Sequence, residues 1–442
     1  MEAAREPMTG TPGLARRLGP FDATMLVMGG IVGSGIFMNP SVVARHVRTP
    51  FLILAAWLLG GLIALAGAFV YRELAARFSD AGGQYVYLRE AYHPMVAFLY
   101  GWCLLLVVQT GGMAAVAVTF ARYLGEIVPL PLSESVVAVL ALALLTVVNC
   151  LGARTGSSVQ GALMSMKIVV IAVLVIAGLT VIAPSAARPA LLDRPVSLDL
   201  LAAFGAAMTP VLFAYGGWQT ASFVAGEMRD PARDLGRGLL FGVIGVIVLY
   251  TGVSWISVRA LGAEGLAATT APASAVMHAA LGEWGARVIA FGIVLSTLGF
   301  LSQSMLTAPR VYFAMARDGV FLRPAAWVHP RTAAPVVAIA LQGLAAALIA
   351  LSGRYEQILS YVVSVDFLWF GLTGATLFVL RQRGARRPEH ATPGHPGTTI
   401  FFIACCFGVV AATIRAYPAQ GAGGLAILAT GVPVYFLWRR RS

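Results

Sequence analysis

Two glycine-rich stretches interrupt apolar segments that are otherwise long enough to cross a lipid bilayer. The first reads MGGIVGSGIFMNPS from Met28 to Ser41, and the second reads TPVLFAYGGWQTASF from Thr209 to Phe223. Glycine is a poor helix former, so each stretch predicts a helix that is interrupted at mid-membrane. An interruption there frees main-chain N–H groups on one half of the helix and carbonyl groups on the other. Unpaired groups of this kind are costly in lipid, so they need a polar ligand.

The freed main-chain groups suit a ligand that carries both charges. The second half of the first segment begins near Ser34, Gly35 and Ile36, where N–H groups and the positive end of the helix dipole would face an anion. The carbonyls that end a first half would face a cation. The sequence therefore predicts a site for a zwitterion. Close helix packing is the alternative explanation, since Gly29 and Gly33 form a small-xxx-small pair.

The chain has a single lysine, Lys167, which lies in the apolar stretch SMKIVVIAVLVIAG. Ionisable residues inside a membrane usually face the bundle interior and have a function, although a lysine can also extend to the interface. Next to the first interrupted segment, the ammonium group could bond to freed carbonyls near Gly33 and replace a sodium ion. A lysine whose charge is costly to bury could also carry a proton. Either role predicts that no sodium site exists there.

Other polar residues fall at predicted mid-span positions and could line the same cavity. Gln109 lies in the third apolar segment, where a pocket role and simple packing are equal alternatives. Ser296 lies in the eighth and could approach Lys167 or the ligand. Asp366 lies in the tenth, where an acid would serve as a proton relay or an ion-pair partner. The histidines and cysteines show no metal-ligand spacing, so we predict no metal and no cofactor.

The composition is typical of a polytopic membrane protein. Of the 442 residues, 59% are hydrophobic and 11% are charged, and the mean hydropathy is +0.82. Soluble domains are nearer half apolar and a quarter charged. The long continuous apolar runs favour helices over outer-membrane strands. The net charge of +12 comes from arginines in short loops between apolar runs, so it indicates membrane topology rather than nucleic-acid binding.

About twelve apolar segments are separated by clusters of glycine, proline and arginine. Their predicted bounds are 21–45, 51–71, 94–121, 133–151, 159–183, 199–225, 237–261, 284–312, 334–352, 356–380, 399–416 and 422–438. The interrupted segments are the first and the sixth, which fits an inverted repeat of five plus five helices. We predict a tail over 1–20, a first repeat over 21–183, a second repeat over 199–380 and two peripheral helices over 399–438.

The distribution of arginine predicts that both termini face the cytoplasm. With the N-terminus inside, the predicted inner loops carry more than twice as many basic residues as the outer loops. The N-terminal stretch lacks an apolar core of its own, so we interpret it as a cytoplasmic tail and not as a signal peptide.

Three stretches together resemble the amino acid–polyamine–organocation superfamily, and in particular its L-type amino acid transporter branch and the bacterial relatives of that branch. They are GSGIF, FAYGGWQTASFVAGEMRDPARDL and GSSVQGALMSMK. The resemblance implies an all-α membrane protein of about twelve helices with a leucine-transporter-like fold, in which helices 1 and 6 are unwound. It also implies a multi-pass permease in a bacterial cytoplasmic membrane that works by alternating access.

The resemblance assigns roles to the residues at both interruptions. The amides of the GSG motif would hold the α-carboxylate of an amino acid, and the carbonyls before each interruption would hold its α-amine. Phe213 would act as a gate over the substrate, and the glycine pair after it would leave room for the side chain. Lys167 would mark a sodium-independent member. The implied substrate-binding residues are Ile31, Gly33, Ser34, Gly35, Ile36, Phe213, Ala214, Tyr215, Gly216 and Gly217.

The chain departs from this family at three places. Gln219 follows GGW where relatives often have asparagine, which could alter the inner pocket. Gly226-Glu227 stands where many relatives have two acidic residues. Eukaryotic relatives bond an accessory glycoprotein through an outer-loop cysteine, whereas the loop RYLGEIVPLPLSES has none. We therefore expect no such partner, and only an amino acid and the bilayer as binding partners.

The sequence thus predicts a sodium-independent transporter of neutral amino acids, working by exchange or by proton coupling. One alternative is a transporter of polyamines or another organic cation, which would need acidic side chains in the cavity. A channel or a membrane enzyme is a further alternative. An enzyme would need a cluster of histidine, cysteine or acidic residues at membrane depth, and the acids here are scattered.

Overall fold

A computed structural model describes residues 18–78, 82–129, 131–151, 156–181, 197–332, 334–352, 355–384 and 391–439. Residues 1–17 of the predicted tail lie outside this range. Within it the chain is helical, and its only β-type pairing is an isolated bridge between Leu18 and Met228. The all-α class predicted from the sequence is therefore confirmed.

The described residues form sixteen α-helices. They are α1 (Pro20–Ile31), α2 (Gly35–Val47), α3 (Pro50–Arg77), α4 (Gln84–Ala91), α5 (Pro94–Cys103), α6 (Gln109–Ile127), α7 (Glu134–Cys150), α8 (Gly156–Val181), α9 (Leu198–Tyr215), α10 (Pro231–Ala268), α11 (Pro272–Thr307), α12 (Pro309–Arg317), α13 (Val336–Ser352), α14 (Tyr355–Gln382), α15 (Gly397–Ala416) and α16 (Pro418–Arg439). A π-helical turn (Leu104–Val108) joins α5 to α6, and 3-10 helices cover Trp218–Glu227 and Arg323–Ala326.

The helices can be matched to the twelve apolar segments of the sequence. Eight are long and apolar enough to cross a bilayer, and α1 with α2 form a ninth that is bent by 42°. Three shorter apolar helices, within α7, α8 and α13, complete the set. The broken spans are the first and the sixth, as the sequence predicts, and the architecture is that of the leucine-transporter-like fold.

Two helices run well past the predicted spans, and a glycine marks the boundary in each. α10 ends at Ala268 although its predicted span ends at 261, and Gly262 inside it has φ 66°. α11 begins at Pro272 although its predicted span begins at 284, and Gly282 inside it has φ 67°. Backbone with positive φ favours glycine and cannot continue an α-helix. Each element is thus a membrane helix joined end to end with a second helical segment.

In the half of the bundle that contains α2, side chains form hydrogen bonds to main-chain carbonyls of neighbouring helices. The Asn39 amide donates to the Pro210 carbonyl on α9 at 2.6 Å, and the Tyr123 hydroxyl donates to the Phe37 carbonyl at 3.0 Å. These bonds join α2 to α9 and α6, so the two broken spans are fixed to one another on this side.

The opposite half, which contains the start of α1, is closed by a different set of contacts. Leu18 N–H donates to the Glu227 carbonyl at 3.1 Å, and Arg229 N–H donates to the Leu18 carbonyl at 2.9 Å. The Glu227 carboxylate also pairs with the Arg310 guanidinium at 3.2 Å. This half therefore ties the end of the sixth span to α1 and to α12.

Candidate substrate site at two broken helices

The first break lies between Ile31 and Gly35. Val32 N–H still donates to the Met28 carbonyl at 2.8 Å, which completes the last turn of α1. Among the described residues, no carbonyl accepts from the N–H groups of Ser34, Gly35 or Ile36. The Ser34 hydroxyl is also enclosed without a hydrogen-bond partner. The start of α2 therefore presents unsatisfied donors to the centre of the bundle, as expected of an anion site.

The second break lies at Gly216 and Gly217, where α9 ends and a 3-10 helix begins. Gly216 N–H donates to the Phe213 carbonyl at 3.2 Å. Gly217 N–H donates to the side-chain oxygen of Gln219 at 2.9 Å, and the Thr220 hydroxyl donates to the Gly217 carbonyl at 2.7 Å. Gln219 thus caps the broken helix with its own side chain. This role was not predicted from its place in the sequence.

The two breaks touch each other through glycine. Gly217 has φ 100°, and a methyl group there would overlap the Gly30 carbonyl oxygen. A methyl group at Gly30 would lie 2.5 Å from the Gly217 carbonyl oxygen, and one at Gly35 would lie 2.6 Å from the Ala214 Cα. Real Cβ contacts are longer, so the breaks meet only because these positions lack side chains. The glycine pair was expected to leave room for the substrate side chain, but the contact between Gly217 and Gly30 limits that room.

Tyr250 on α10 bridges the two breaks. Its hydroxyl lies 3.0 Å from the Ile31 carbonyl oxygen and 3.3 Å from that of Ala214. Both carbonyls were predicted to hold the substrate amine, so an arriving ammonium group must share them with this hydroxyl. The sequence analysis missed Tyr250, because a tyrosine within an apolar helix carries no signal for contacts made 219 residues away.

Lys167 lies against the end of α1, where the sequence analysis expected it. Its ammonium group donates to the Val32 carbonyl at 3.0 Å and to the Gly29 carbonyl at 3.4 Å. The side chain is 1% exposed, and the Phe300 ring lies 5.8 Å from the ammonium nitrogen. The Lys167 side chain thus occupies the freed carbonyls of the first break.

The breaks open into a cavity whose empty space, including the part open to solvent, is about 690 Å³. Its walls come from the two broken spans and from α6, α11 and α14. Eleven of the predicted residues line it: Ile31, Gly33, Ser34, Gly35, Gln109, Phe213, Ala214, Gly216, Gly217, Gln219 and Asp366.

Four predicted residues do not line this cavity. Ile36 is buried at the start of α2, and Lys167 lies behind the first break. Tyr215 is buried on the far side of α9, where its ring packs 5.1 Å from that of Tyr250 and 5.9 Å from that of Trp57. Ser296 is fully buried, and its hydroxyl has no hydrogen-bond partner among the described residues.

A largely polar wall on α11 was not predicted from the sequence. Phe300, Gln303, Ser304 and Thr307 line the cavity at positions three to four residues apart, which places them on one helix face. The Gln303 amide also donates to the Leu26 carbonyl at 2.8 Å, which joins α11 to α1. The helical spacing of the polar residues was a usable signal for this wall.

Removal of the Tyr250 hydroxyl is expected to destabilise the two breaks. Tyr250→Phe removes this donor from the Ala214 carbonyl and from the Ile31 carbonyl, which still accepts from Gly33 N–H at 2.8 Å. An unsatisfied buried group costs about 1–3 kcal/mol. The thermal unfolding midpoint of the purified protein should fall. Tyr435→Phe is the control, because this buried tyrosine packs on Phe98 in a peripheral part of the bundle. Equal midpoints for the two variants would contradict the bridging role.

Comparison with known proteins identifies the family of the chain. A family model described as amino acid permease matches residues 18–436. The chain is 28% identical to the large neutral amino acids transporter small subunit 2 of Mus musculus, over 99% of this chain and 83% of that protein. It is also 28% identical to the serine/threonine exchanger SteT of Bacillus subtilis (strain 168), over 97% of this chain and 98% of that protein. The chain therefore belongs to the amino acid permease family and is a membrane transporter of amino acids.

Proposed function

We propose that the protein transports neutral amino acids by alternating access without sodium, either as an exchanger or as a proton-coupled permease. The observation that carries the proposal is the position of Lys167, whose ammonium group donates to the Val32 and Gly29 carbonyls. A sodium ion would need oxygen ligands of this kind. Since an ammonium group already binds them, the site is charged without an inorganic cation.

In this proposal the main chain of both breaks holds the part of the substrate that all amino acids share. The α-carboxylate accepts from the N–H groups of Ser34, Gly35 and Ile36, which have no carbonyl partner in the described structure. The α-ammonium group donates to the carbonyls of Ile31 and Ala214. Because the protein main chain binds the groups that all amino acids share, selection among substrate side chains falls to the rest of the cavity.

Phe213 is the proposed gate. It is half-buried, lines the cavity and directly precedes the carbonyl that would hold the ammonium group. A substrate drives the cycle only if it binds one conformation better than the others. Closure of the Phe213 ring over the substrate would supply such a contact in the occluded state.

A neutral substrate is favoured by the names of the relatives, two of which are a large neutral amino acids transporter and a serine/threonine exchanger. A polyamine carrier is the rival within this fold. It would leave the unsatisfied N–H groups of the first break without an anion, and it would need more acidic groups than Asp366, the one charged residue in the cavity lining. Competition of alanine uptake by putrescine would decide between the two substrates.

A channel and a membrane enzyme are less well supported. Among the described residues, no group of three or more histidine, cysteine or acidic residues could hold a metal ion. We propose that the protein performs no covalent chemistry, and that uncoupled ion conductance in a planar bilayer would be absent.

We further propose that the protein lies in a bacterial cytoplasmic membrane with both termini inside. The even number of predicted apolar segments and the bias of arginine towards the predicted inner loops support this orientation. The repeats would cover 21–183 and 199–380. No accessory glycoprotein is expected, since the loop between the third and fourth spans has no cysteine.

Uptake of labelled amino acids into proteoliposomes tests the proposal. We expect equal initial rates of L-alanine uptake in sodium and in choline buffer. Stimulation by internal alanine would indicate exchange, and stimulation by an inward proton gradient would indicate proton coupling. A requirement for sodium would contradict the role given to Lys167.

A further inference from the structure

Among the described residues, Asp366 is the one acidic side chain that lines the cavity, and no described side chain pairs with it. It lies on α14 with 6% of its surface exposed, and its Oδ1 atom is enclosed without a hydrogen bond. Among the described residues, no arginine or lysine forms an ion pair with it. A buried carboxylate without a donor is costly. The cavity is therefore electrostatically incomplete until a donor enters it.

The carboxylate lies where a substrate side chain would reach. α14 packs on α6 and α9, and the cavity separates it from the first break. Gln109 and Gly112 of α6 line the cavity beside it, and a methyl group on Gly112 would meet no atom within 4 Å. This side of the cavity thus has both free space and an unsatisfied acceptor.

The surrounding residues do not supply the missing donor. Tyr71 on α3 and Tyr100 on α5 are close enough to interact electrostatically with Asp366, but no hydrogen bond joins either hydroxyl to it. The neighbouring α14 side chains that line the cavity are Val362, Val363 and Phe367, all apolar. A donor carried by the substrate is consequently the best available partner for the carboxylate.

We propose that Asp366 accepts a hydrogen bond from the end of the substrate side chain. The protein then prefers amino acids whose side chain ends in a hydroxyl over apolar amino acids of the same shape. A preference for a side-chain ammonium group would extend the proposed substrates beyond neutral amino acids. This inference rests on the proposed function, because it assumes that the α-carboxylate and α-ammonium groups are held at the two breaks. It also implies rejection of acidic side chains, since like charges in close contact repel strongly.

Competition of isosteric amino acids for uptake of labelled L-alanine tests the inference in proteoliposomes with the full chain. The first pair is threonine against valine, and the second is 2,4-diaminobutyrate against norvaline. We expect the donor-bearing member of at least one pair to inhibit at a concentration about tenfold lower, as a hydrogen bond to a charged group predicts. The pair that shows the preference identifies the donor as hydroxyl or ammonium.

Two variants connect this preference to Asp366. Asp366→Ala should reduce the ratio within the preferred pair to about twofold or less, because no acceptor is left. The ratio compares two inhibitors of the same uptake, so it does not depend on the absolute rate at which the variant transports alanine. Asp366→Asn preserves the shape of the side chain, and it replaces Asp366→Ala in the competition assay if that variant is unstable. It should weaken an ammonium preference most, because the negative charge is lost.

Ser364→Ala is the matched control, because Ser364 is a buried polar residue of the same helix that bonds to the Tyr361 carbonyl and does not line the cavity. Its ratios should equal those of the unmodified protein. Equal inhibition within both pairs, or ratios that survive both Asp366 variants, would overturn the inference. Absence of alanine uptake in the unmodified protein would instead contradict the proposed function.

Discussion

Replacement of Lys167 by methionine is expected to abolish amino acid uptake. Methionine has a similar length but no donor, so the Val32 and Gly29 carbonyls lose the ammonium group that binds them. Each unsatisfied buried carbonyl costs about 1–3 kcal/mol, which predicts a rate at least about 100-fold lower. The initial rate of L-alanine uptake into proteoliposomes at matched protein content measures this effect.

Thr180→Val is the control for that experiment. Thr180 lies on the same helix at an exposed position, and its hydroxyl bonds only to the Ile176 carbonyl of its own helix. Uptake should be unchanged in this variant. If Lys167→Met transported alanine at the rate of the unmodified protein, the lysine would not be the cation of the first break.

Substitution of Gly217 by alanine is the second change expected to have a large effect. The residue has φ 100°, and an added methyl group would overlap the Gly30 carbonyl oxygen. The colliding atoms belong to main chain on both sides, so neither can move aside as a flexible side chain would. We expect the two breaks to be pushed apart and uptake to fall about 100-fold, which corresponds to about 3 kcal/mol.

Gly408→Ala provides the comparison for this substitution. Gly408 lies in α15, and a methyl group there would meet no atom within 4 Å. Alanine is a better helix former than glycine, so this variant should be neutral or slightly more stable. A Gly217→Ala variant with normal uptake and a normal unfolding midpoint would show that the contact between the breaks is unimportant.

The breaks could be predicted from the sequence because glycine weakens a helix at its own position, whatever the rest of the chain does. The GSG and GGW stretches interrupt apolar runs at the first and sixth spans, and the helices end within a few residues of them. Lys167 could be predicted for a similar reason, since a lone lysine in an apolar segment must find a polar partner. A contact between distant parts of the chain can be predicted in this way only when one residue is of an unusual type for its surroundings.

The residues that connect the breaks could not be predicted in this way. Tyr250 and Gln303 bond to carbonyls of α1 from helices more than 200 residues further along the chain. The side-chain oxygen of Gln219 accepts from a main-chain N–H two residues away. The sequence alone does not distinguish this hydrogen bond from others that the same side chain could form. Their roles depend on how the helices pack, which hydrophobic patterning does not specify when a helix is apolar on every face.

A density map of the protein in lipid nanodiscs with saturating L-alanine tests the central claim most directly. The account predicts that the carboxylate of alanine lies within hydrogen-bond distance of the N–H groups of Ser34, Gly35 and Ile36. Its ammonium group should lie against the carbonyls of Ile31 and Ala214, with both helices broken as described. Alanine bound elsewhere in the bundle, or a continuous helix through either glycine stretch, would contradict the account.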